Sequence, residues 1–341
     1  MRNIFNFVKD NIENPPWNYN FLLNLEESEY PRYLAKLFYL KTGEKLPLLK
    51  KWSFKNSECS YRINKKKLTK FNQKIQYIKL HGITDLMRNC TDKVKVRDYV
   101  RDCIGKEYLK PVLQLVRSEE SGVRSNNLNF SLSTLNTPLF DKIDFEKLPD
   151  SFVIKCNHGC KWHYIVKDKN KFLKNKQLVN ITKRHITGWL EQDYSLWGGF
   201  ELNYRGIKPK ILVEPFLREK ITQDCPKIQV YCFNSKPKII INFFDENNMS
   251  IWNEKFIPID NFFNFSEKNI KININDYINQ SVDLSIKLAK QFNFVRVDWM
   301  LYKNKLYFEE LTFTPYSGMV EFKDKNYDLI LGNYIDLGEK K

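Results

Sequence analysis

The segment 294–318, Phe-Val-Arg-Val-Asp-Trp-Met-Leu-Tyr-Lys-Asn-Lys-Leu-Tyr-Phe-Glu-Glu-Leu-Thr-Phe-Thr-Pro-Tyr-Ser-Gly, constrains the fold more than any other part of the chain. Residues 294–302 and 306–313 are rich in aromatic and β-branched side chains, which suit a pleated, half-buried surface. The polar Lys303-Asn304-Lys305 between them predicts a turn, and so a hairpin.

Within that hairpin the charges fall in register. Arg296 and Asp298 share one face of the first strand, while Val295, Val297 and Trp299 take the other, because strand side chains alternate. Glu310 and Thr312 do the same on the second strand. Pairing around the turn would gather an arginine, two carboxylates and a hydroxyl on one face. Two oxygen ligands with room for water suit Mg2+, which is held by one or two carboxylates together with substrate phosphates. The alternative is a hairpin whose polar face is simply solvated.

The order Arg296-Val297-Asp298, Glu310-Leu311-Thr312, then Pro315 and Gly318, resembles the metal-binding end of the ATP-grasp ligases. D-alanine ligases carry a similar Arg-Val-Asp followed by Glu-x-Asn and a Pro-Gly turn. The fuller phrase, Phe308-Glu309-Glu310-Leu311-Thr312-Phe313-Thr314-Pro315 with Ser317-Gly318 behind it, is similar to the TupA-like branch, named for teichuronopeptide synthesis. The phrase at 71–80, Phe-Asn-Gln-Lys-Ile-Gln-Tyr-Ile-Lys-Leu, is similar to an N-terminal signature of that branch, and no function is carried over from it.

At 341 residues the chain is long enough for two lobes, each with its own core. A hydrophobic content of 42% with 15% aromatic residues excludes a disordered chain. No apolar run reaches the length of a membrane helix and the first ten residues lack a signal-peptide core, so a cytoplasmic protein is expected. Seven cysteines, an odd number, fit free thiols. Cys156, His158 and Cys160 offer three ligand types but no second knuckle, a weak zinc signal. The net charge of +16 would attract nucleic acid, an anionic membrane face or an acidic glycan, and does not choose among them.

Periodicity predicts helices over 27–42, 67–80 and 281–293, and a short one over 186–193. Thr91 or Asp92 is expected to cap a helix running to Cys103 and ending at Gly105. The Asp-Lys opening of that stretch resembles D-alanine ligases and puts Lys93 on an ATP phosphate; a solvated lysine is the alternative. The polar stretch 117–138 reads as an insertion or lid. Residues 148–167 read as strand, loop, strand, with Lys155 where a buried strand meets the loop and needs an anionic partner. The Asn157-His158-Gly159 turn can bring backbone N–H groups to a phosphate. This resembles the phosphate-covering hairpin of ATP-grasp enzymes, with Lys155 at the α- and β-phosphates. That loop commonly carries a second glycine where this chain has Lys161.

Residues 201–217 end a buried strand with Glu214 and Pro215. The segment resembles the adenine-binding hinge, so that Glu214, Pro215, Phe216 and Leu217 would read the adenine edge; an ordinary strand exit is the alternative. Relatives tend to place Asp-x-Lys where this chain has Lys227-Ile228-Gln229, which leaves Asp224 as the candidate for the ribose. Residues 230–233 and 238–244 are expected to form a further hairpin.

The resemblance as a whole implies an α+β chain of the ATP-grasp fold, two lobes clasping ATP behind a mainly helical region at 1–90. The catalytic region would span 91–338, with a nucleotide lobe at about 145–213 and a metal-binding lobe at about 214–338. It implies ATP and one or two Mg2+ ions as cofactors, with Asp298, Glu310 and Thr312 as metal ligands and Arg296 as the catalytic arginine. The reaction implied joins a carboxylate to an amine through an acyl phosphate, on a cell-envelope or capsular glycan or a lipid-linked precursor at the inner membrane face. An ATP-grasp kinase, a degenerate nucleotide-binding protein and a basic nucleic-acid-binding module remain alternatives. The glycosyltransferase label attached to many relatives finds no Asp-x-Asp or sugar-nucleotide signature here.

Overall fold

The computed structural model describes residues 68–118, 138–196, 201–217, 225–245, 248–263, 268–269, 276–318 and 320–338. The helix expected at 27–42 and Asp224 lie outside them. The described chain opens with α1 (Phe71–Tyr77), which runs into a π-turn at Ile78–Gly82, then α2 (Asp85–Thr91) and α3 (Val96–Ile104). Next come β1 (Gln114–Val116), β2 (Phe152–Cys156), β3 (His163–Val166), α4 (Lys169–Lys174), α5 (Lys176–Leu190) and β4 (Ile211–Pro215). The remainder is β5 (Lys227–Phe233), β6 (Lys236–Phe243), β7 (Asn248–Asn253), β8 (Lys268–Asn269), α6 (Asp276–Leu288), β9 (Phe294–Tyr302), β10 (Lys305–Thr312) and α7 (Asn326–Tyr334).

Two sheets carry these strands, ordered β1-β4-β2-β3 and β10-β9-β5-β6-β7-β8. Pairing is antiparallel except between β7 and β8. Each sheet has its own apolar core. Phe152, Ile154, Phe172, Ile186 and Val213 close the smaller lobe, and Phe233, Phe294, Val297, Trp299 and Leu288 belong to the larger. The class is α+β, as expected. Helix α1 is built into the larger core: the Phe71 ring lies 5.2 Å edge-on to Phe294 and 6.2 Å from Phe233. On the other face Trp299 Nε1 donates to Ser285 Oγ of α6 at 2.8 Å, so the indole is buried with its polar atom satisfied.

Local chemistry sets several boundaries. The β9–β10 turn is shorter than expected, only Lys303 and Asn304, with φ of 48° and 58°. Two consecutive left-handed residues give the turn whose twist matches a tight hairpin. Asn234 and Ser235 do the same between β5 and β6, with φ of 48° and 64°. The helix expected to start at Thr91 or Asp92 does not: Thr91 ends α2, and α3 begins at Val96. Asp92 Oδ1 accepts from Val94 N and from Asn157 Nδ2, both at 2.9 Å, and Lys93 N donates to Asn157 O at 3.2 Å. Those contacts with the smaller lobe hold the junction out of the helical register. The short helix expected at 186–193 is the end of the longer α5, whose start is capped by Asn175 Oδ1 accepting from Leu178 N at 3.0 Å. No helix among the described residues is long and apolar enough to cross a membrane.

Candidate active site

The two strands that the sequence singles out meet through a bulge. Phe308 pairs with Trp299, yet Glu310 pairs with Asp298 and Thr312 with Arg296, so Glu309 is an extra residue on β10. The insertion lets both Phe308 and Leu311 face the core while Glu310 and Thr312 stay with Arg296 and Asp298. Arg296 is the hub. Its Nε donates to Asp298 Oδ1 at 2.6 Å, and its Nη2 lies 2.9 Å from Asp298 Oδ2, 3.1 Å from Glu310 Oε1 and 3.0 Å from Thr312 Oγ1. Thr312 Oγ1 in turn donates to Glu310 Oε1 at 3.2 Å.

Strand β5 adds two donors that sequence reading did not assign. Gln229 Nε2 donates to Asp298 Oδ2 at 3.0 Å, and Lys227 Nζ lies 2.8 Å from the same oxygen. Register explains this, because Gln229 pairs directly with Asp298 across β5 and β9. The Asp298 side chain is fully buried. Burial works against its charge, but Arg296 and then Lys227 outweigh it and hold the carboxyl below the usual aspartate range. For Lys227, burial is likewise outweighed by Asp298, then Glu309 and Glu310, which raise its pKa above the ordinary lysine value. Glu310 differs from Asp298 in being open, with its side chain 41% exposed.

A second charge cluster centres on Glu214. Lys155 Nζ donates to Glu214 Oε2 at 2.5 Å across the β2–β4 pair, and Arg97 Nη1 of α3 lies 3.5 Å from Glu214 Oε1. The anionic partner that Lys155 required is therefore Glu214. Burial opposes the Glu214 charge; Lys155, Lys110 and Arg97 overcome it and lower its pKa. Lys93 Nζ donates to the Gly159 carbonyl. Burial lowers the Lys93 pKa, with Glu310 pulling the other way and Lys155 adding to the depression, so these groups share one electrostatic field. Pro215 closes β4 still paired with Phe152, and Phe216 and Leu217 lead out of the strand, each partly buried.

The β2–β3 loop is held from inside. His158 is buried, its Nε2 3.1 Å from the Trp189 carbonyl and its ring 5.1 Å edge-on from Trp162. Burial pushes its pKa down to about 4. Its imidazole thus supports the loop from inside. At Gly159 an added Cβ would sit 2.2 Å from the Trp162 ring, so the glycine is needed for that ring to pack. Lys161, exposed, has a φ of 60°, a left-handed conformation that glycine adopts more readily than lysine. Cys156, His158 and Cys160 form no metal site; among the described residues no three His, Cys, Asp or Glu side chains are so gathered.

Beyond β10 the chain enters a turn, Pro315–Gly318, in which Tyr316 and Ser317 have φ of 50° and 56°. Segment 71–82 clamps it. Gln76 Nε2 donates to Ser317 O at 2.9 Å, the buried Lys79 Nζ donates to the same oxygen at 3.0 Å, and Asn72 exchanges two bonds with Val320. From the other side Thr314 Oγ1 donates to Glu201 Oε1 at 2.6 Å. Arg97 and Glu201 are drawn in without a local sequence signal; Lys227, a charge opening a mostly apolar strand, could have been picked out.

A family model described as TupA-like ATPgrasp matches residues 73–336. The chain belongs to the TupA-like ATP-grasp family. Its fold is accordingly the ATP-grasp fold, and the hairpin and the β2–β3 loop both lie within the matched span. Solved structures similar to this TupA-like chain include D-alanine–D-alanine ligase from Bacillus anthracis complexed with ATP, at 15% identity and a TM-score of 0.31, covering 65% of this chain and 53% of that one. The Helicobacter pylori D-alanine–D-alanine ligase matches at 12% identity and a TM-score of 0.39, over 72% and 61%. Phosphoribosylamine–glycine ligase from Thermotoga maritima matches at 11% and 0.35, over 72% and 51%. The TupA-like chain thus spans between half and two thirds of the length of these three. A comparison with curated protein sequences found no match.

Of the three candidate ligands Glu310 is the open one, 41% exposed with both of its bonds on Oε1, and Thr312 offers a hydroxyl beside it. Asp298, directly across the strand pair, is fully buried and already engaged by Arg296, Gln229 and Lys227. Two carboxylates with further oxygen from phosphate and water are what Mg2+ accepts.

Proposed function

We propose that this chain is an ATP-dependent carboxylate–amine ligase. In the reaction, a substrate carboxylate attacks the γ-phosphorus of ATP, releasing ADP and forming an acyl phosphate. An amine then displaces phosphate and leaves an amide. The observation that carries the reading is the pairing of Asp298 with Glu310 around the buried Arg296, inside the span matched by an ATP-grasp family model.

In this reading Glu310 and Asp298 hold Mg2+, with Thr312 beside them. The ion supplies charge neutralisation at the β- and γ-phosphates. Lys93 and Lys155 balance the negative charge of the phosphate chain, Lys155 exchanging its Glu214 contact for a phosphate oxygen. The backbone around His158 and Gly159 covers the phosphates, and the exit of β4 from Glu214 to Leu217 lines the adenine. Asp224 is kept as the ribose contact on the sequence reading alone. Arg296, fixed by Asp298, presents a guanidinium where negative charge shifts during transfer.

The proposed substrates are an envelope or capsular acid, such as a uronic acid in a glycan or a lipid-linked precursor, and an amino acid or other amine. The net charge of +16 suits an anionic acceptor of that kind, and a cytoplasmic site at the inner membrane face suits ATP as the energy source. Incubation with Mg-ATP and a panel of uronic acids and amines, followed by product mass measurement, tests this. The expected product has the mass of acid plus amine less water, formed with ADP and phosphate. ATP consumption that needs no amine, with a phosphorylated acid as end product, would contradict ligation.

A further inference from the structure

Helix α5 carries a face that the proposed reaction does not use. Thr182, Ile186 and Leu190 are its buried residues, and Ile186 and Leu190 share a core with Phe152 and Ile154 of β2. Gln177, Asn180, Arg184 and Glu191 are exposed, and their spacing sets them in one stripe that looks away from that core. At 1.5 Å per residue the stripe is about 21 Å long. These four, with Lys183 and Gly188, line an open groove of about 900 Å3, toward the large end for a ligand site. Lys183 Nζ lies 2.5 Å from Asp141 Oδ2 and so fixes the turn Leu139–Lys142, whose preceding residue, Pro138, lines the groove from outside the helix. At Gly188 an added Cβ would meet nothing within 4 Å, so the groove is floored there by bare backbone with room above it.

The charge around the groove is one-sided. Residues 169–185 hold six Lys and Arg and no Asp or Glu, and Lys171, Lys174, Lys176 and Arg184 are exposed. Such a surface draws anions. We propose that the groove binds an acidic oligosaccharide along α5. That this oligosaccharide is the chain carrying the carboxylate substrate rests on the ligase reading above, to which the groove adds a second contact. Arg184 meets a ring carboxylate, and the Gln177 and Asn180 amides, each both donor and acceptor, meet the neutral hydroxyls between carboxylates. Nucleic acid fits less well. Among the described residues no aromatic side chain lines the groove, so bases find no stacking surface, and Glu191 opposes a phosphate on every unit. The helix also supports the β2–β3 loop, since the Trp189 carbonyl lies 3.1 Å from His158 Nε2. A glycan held on α5 is thus anchored to the lobe that carries Lys155.

Calorimetric titration of the full chain with octagalacturonate and with monomeric galacturonate tests this. The wild type is expected to bind the octamer about tenfold more tightly or better. Gly188→Trp, which fills the groove, and Arg184→Glu should each lose that preference, whereas Gly188→Ala should keep it. An octamer bound no more tightly than the monomer, or a preference that survives in folded Gly188→Trp, overturns the inference. If Gly188→Trp does not fold, Arg184→Glu decides. Octathymidylate bound more tightly than octagalacturonate overturns it too, in favour of a nucleic-acid surface. Ligation of galacturonate to an amine with Mg-ATP is followed beside binding. Ligation without an octamer preference removes the groove and leaves the ligase reading; an octamer preference without ligation of any acid supports the groove and removes the ligase reading.

Discussion

Glu310 stands directly across the strand pair from Asp298, and it does so because Glu309 is one residue too many for the ladder. Without the insertion, Glu309 would oppose Asp298 and Glu310 would turn to the core side. The bulge therefore decides which of two adjacent glutamates joins Arg296, Asp298 and Thr312.

Arg296 and Asp298 form a buried pair, so the pair's integrity is a stability matter as well as a catalytic one. Burial makes Arg296→Ala more than a catalytic change. Losing the arginine leaves Asp298 supported by Lys227 and Gln229 only, and breaking such a pair costs about 3–5 kcal/mol. Urea denaturation of Arg296→Ala should show a loss of that order, while Glu310→Gln, at a site with 41% exposure, should cost under about 1 kcal/mol. Equal losses in both would show that Arg296 is not the buried hub.

His158 gives a pH signature. Its folded-state pKa lies at about 4 against 6.5 for the free side chain, the consequence of burial. Between those values the unfolded chain binds the proton and the folded one does not, so stability falls as pH is lowered through the window and levels off below it. The contribution is roughly 3 kcal/mol at 1.36 kcal/mol per unit. The stability difference between wild type and His158→Gln should shrink by about that much from pH 7 to pH 4 in denaturant titrations; a difference independent of pH would mean that the imidazole is not buried neutral.

Lys161 occupies a left-handed backbone position with an exposed side chain. Non-glycine residues are disfavoured there by roughly 1–2 kcal/mol, partly offset by the greater unfolded freedom of glycine. Lys161→Gly should therefore raise stability by up to about 1 kcal/mol, read as a higher melting temperature. A lower melting temperature would show that the lysine side chain makes a contact that outweighs its backbone cost.

Much of the larger lobe was legible because its signals are local. Alternation of Val295, Val297 and Trp299 against Arg296 and Asp298 marks β9, and the polar Lys303-Asn304-Lys305 marks the turn, one residue too long. The bulge has a signal of its own in the sequence: Leu306, Phe308, Leu311 and Phe313 are spaced two, three, two, and the three breaks a strict ladder. The long start of α5 was missed because its first turns are polar and its buried residues, Thr182, Ile186 and Leu190, are sparse. Arg97 on Glu214, Asn157 on Asp92, and the grip of Gln76 and Lys79 on Ser317 join residues far apart in the chain, and no local pattern announces such pairs. The similarity of 71–80 to a family signature carried no role; the structure gives that segment one in holding the turn after β10.

The central claim is that the hairpin carboxylates bind nucleotide phosphate through a divalent ion. Calorimetric titration of ATP into wild type and Glu310→Gln, each with and without Mg2+, tests it most directly. Binding should tighten at least tenfold with Mg2+ in the wild type, about 1.4 kcal/mol, and lose that dependence in the variant. ATP binding that is indifferent to Mg2+ in the wild type, or equally Mg2+-dependent in Glu310→Gln, would contradict the account.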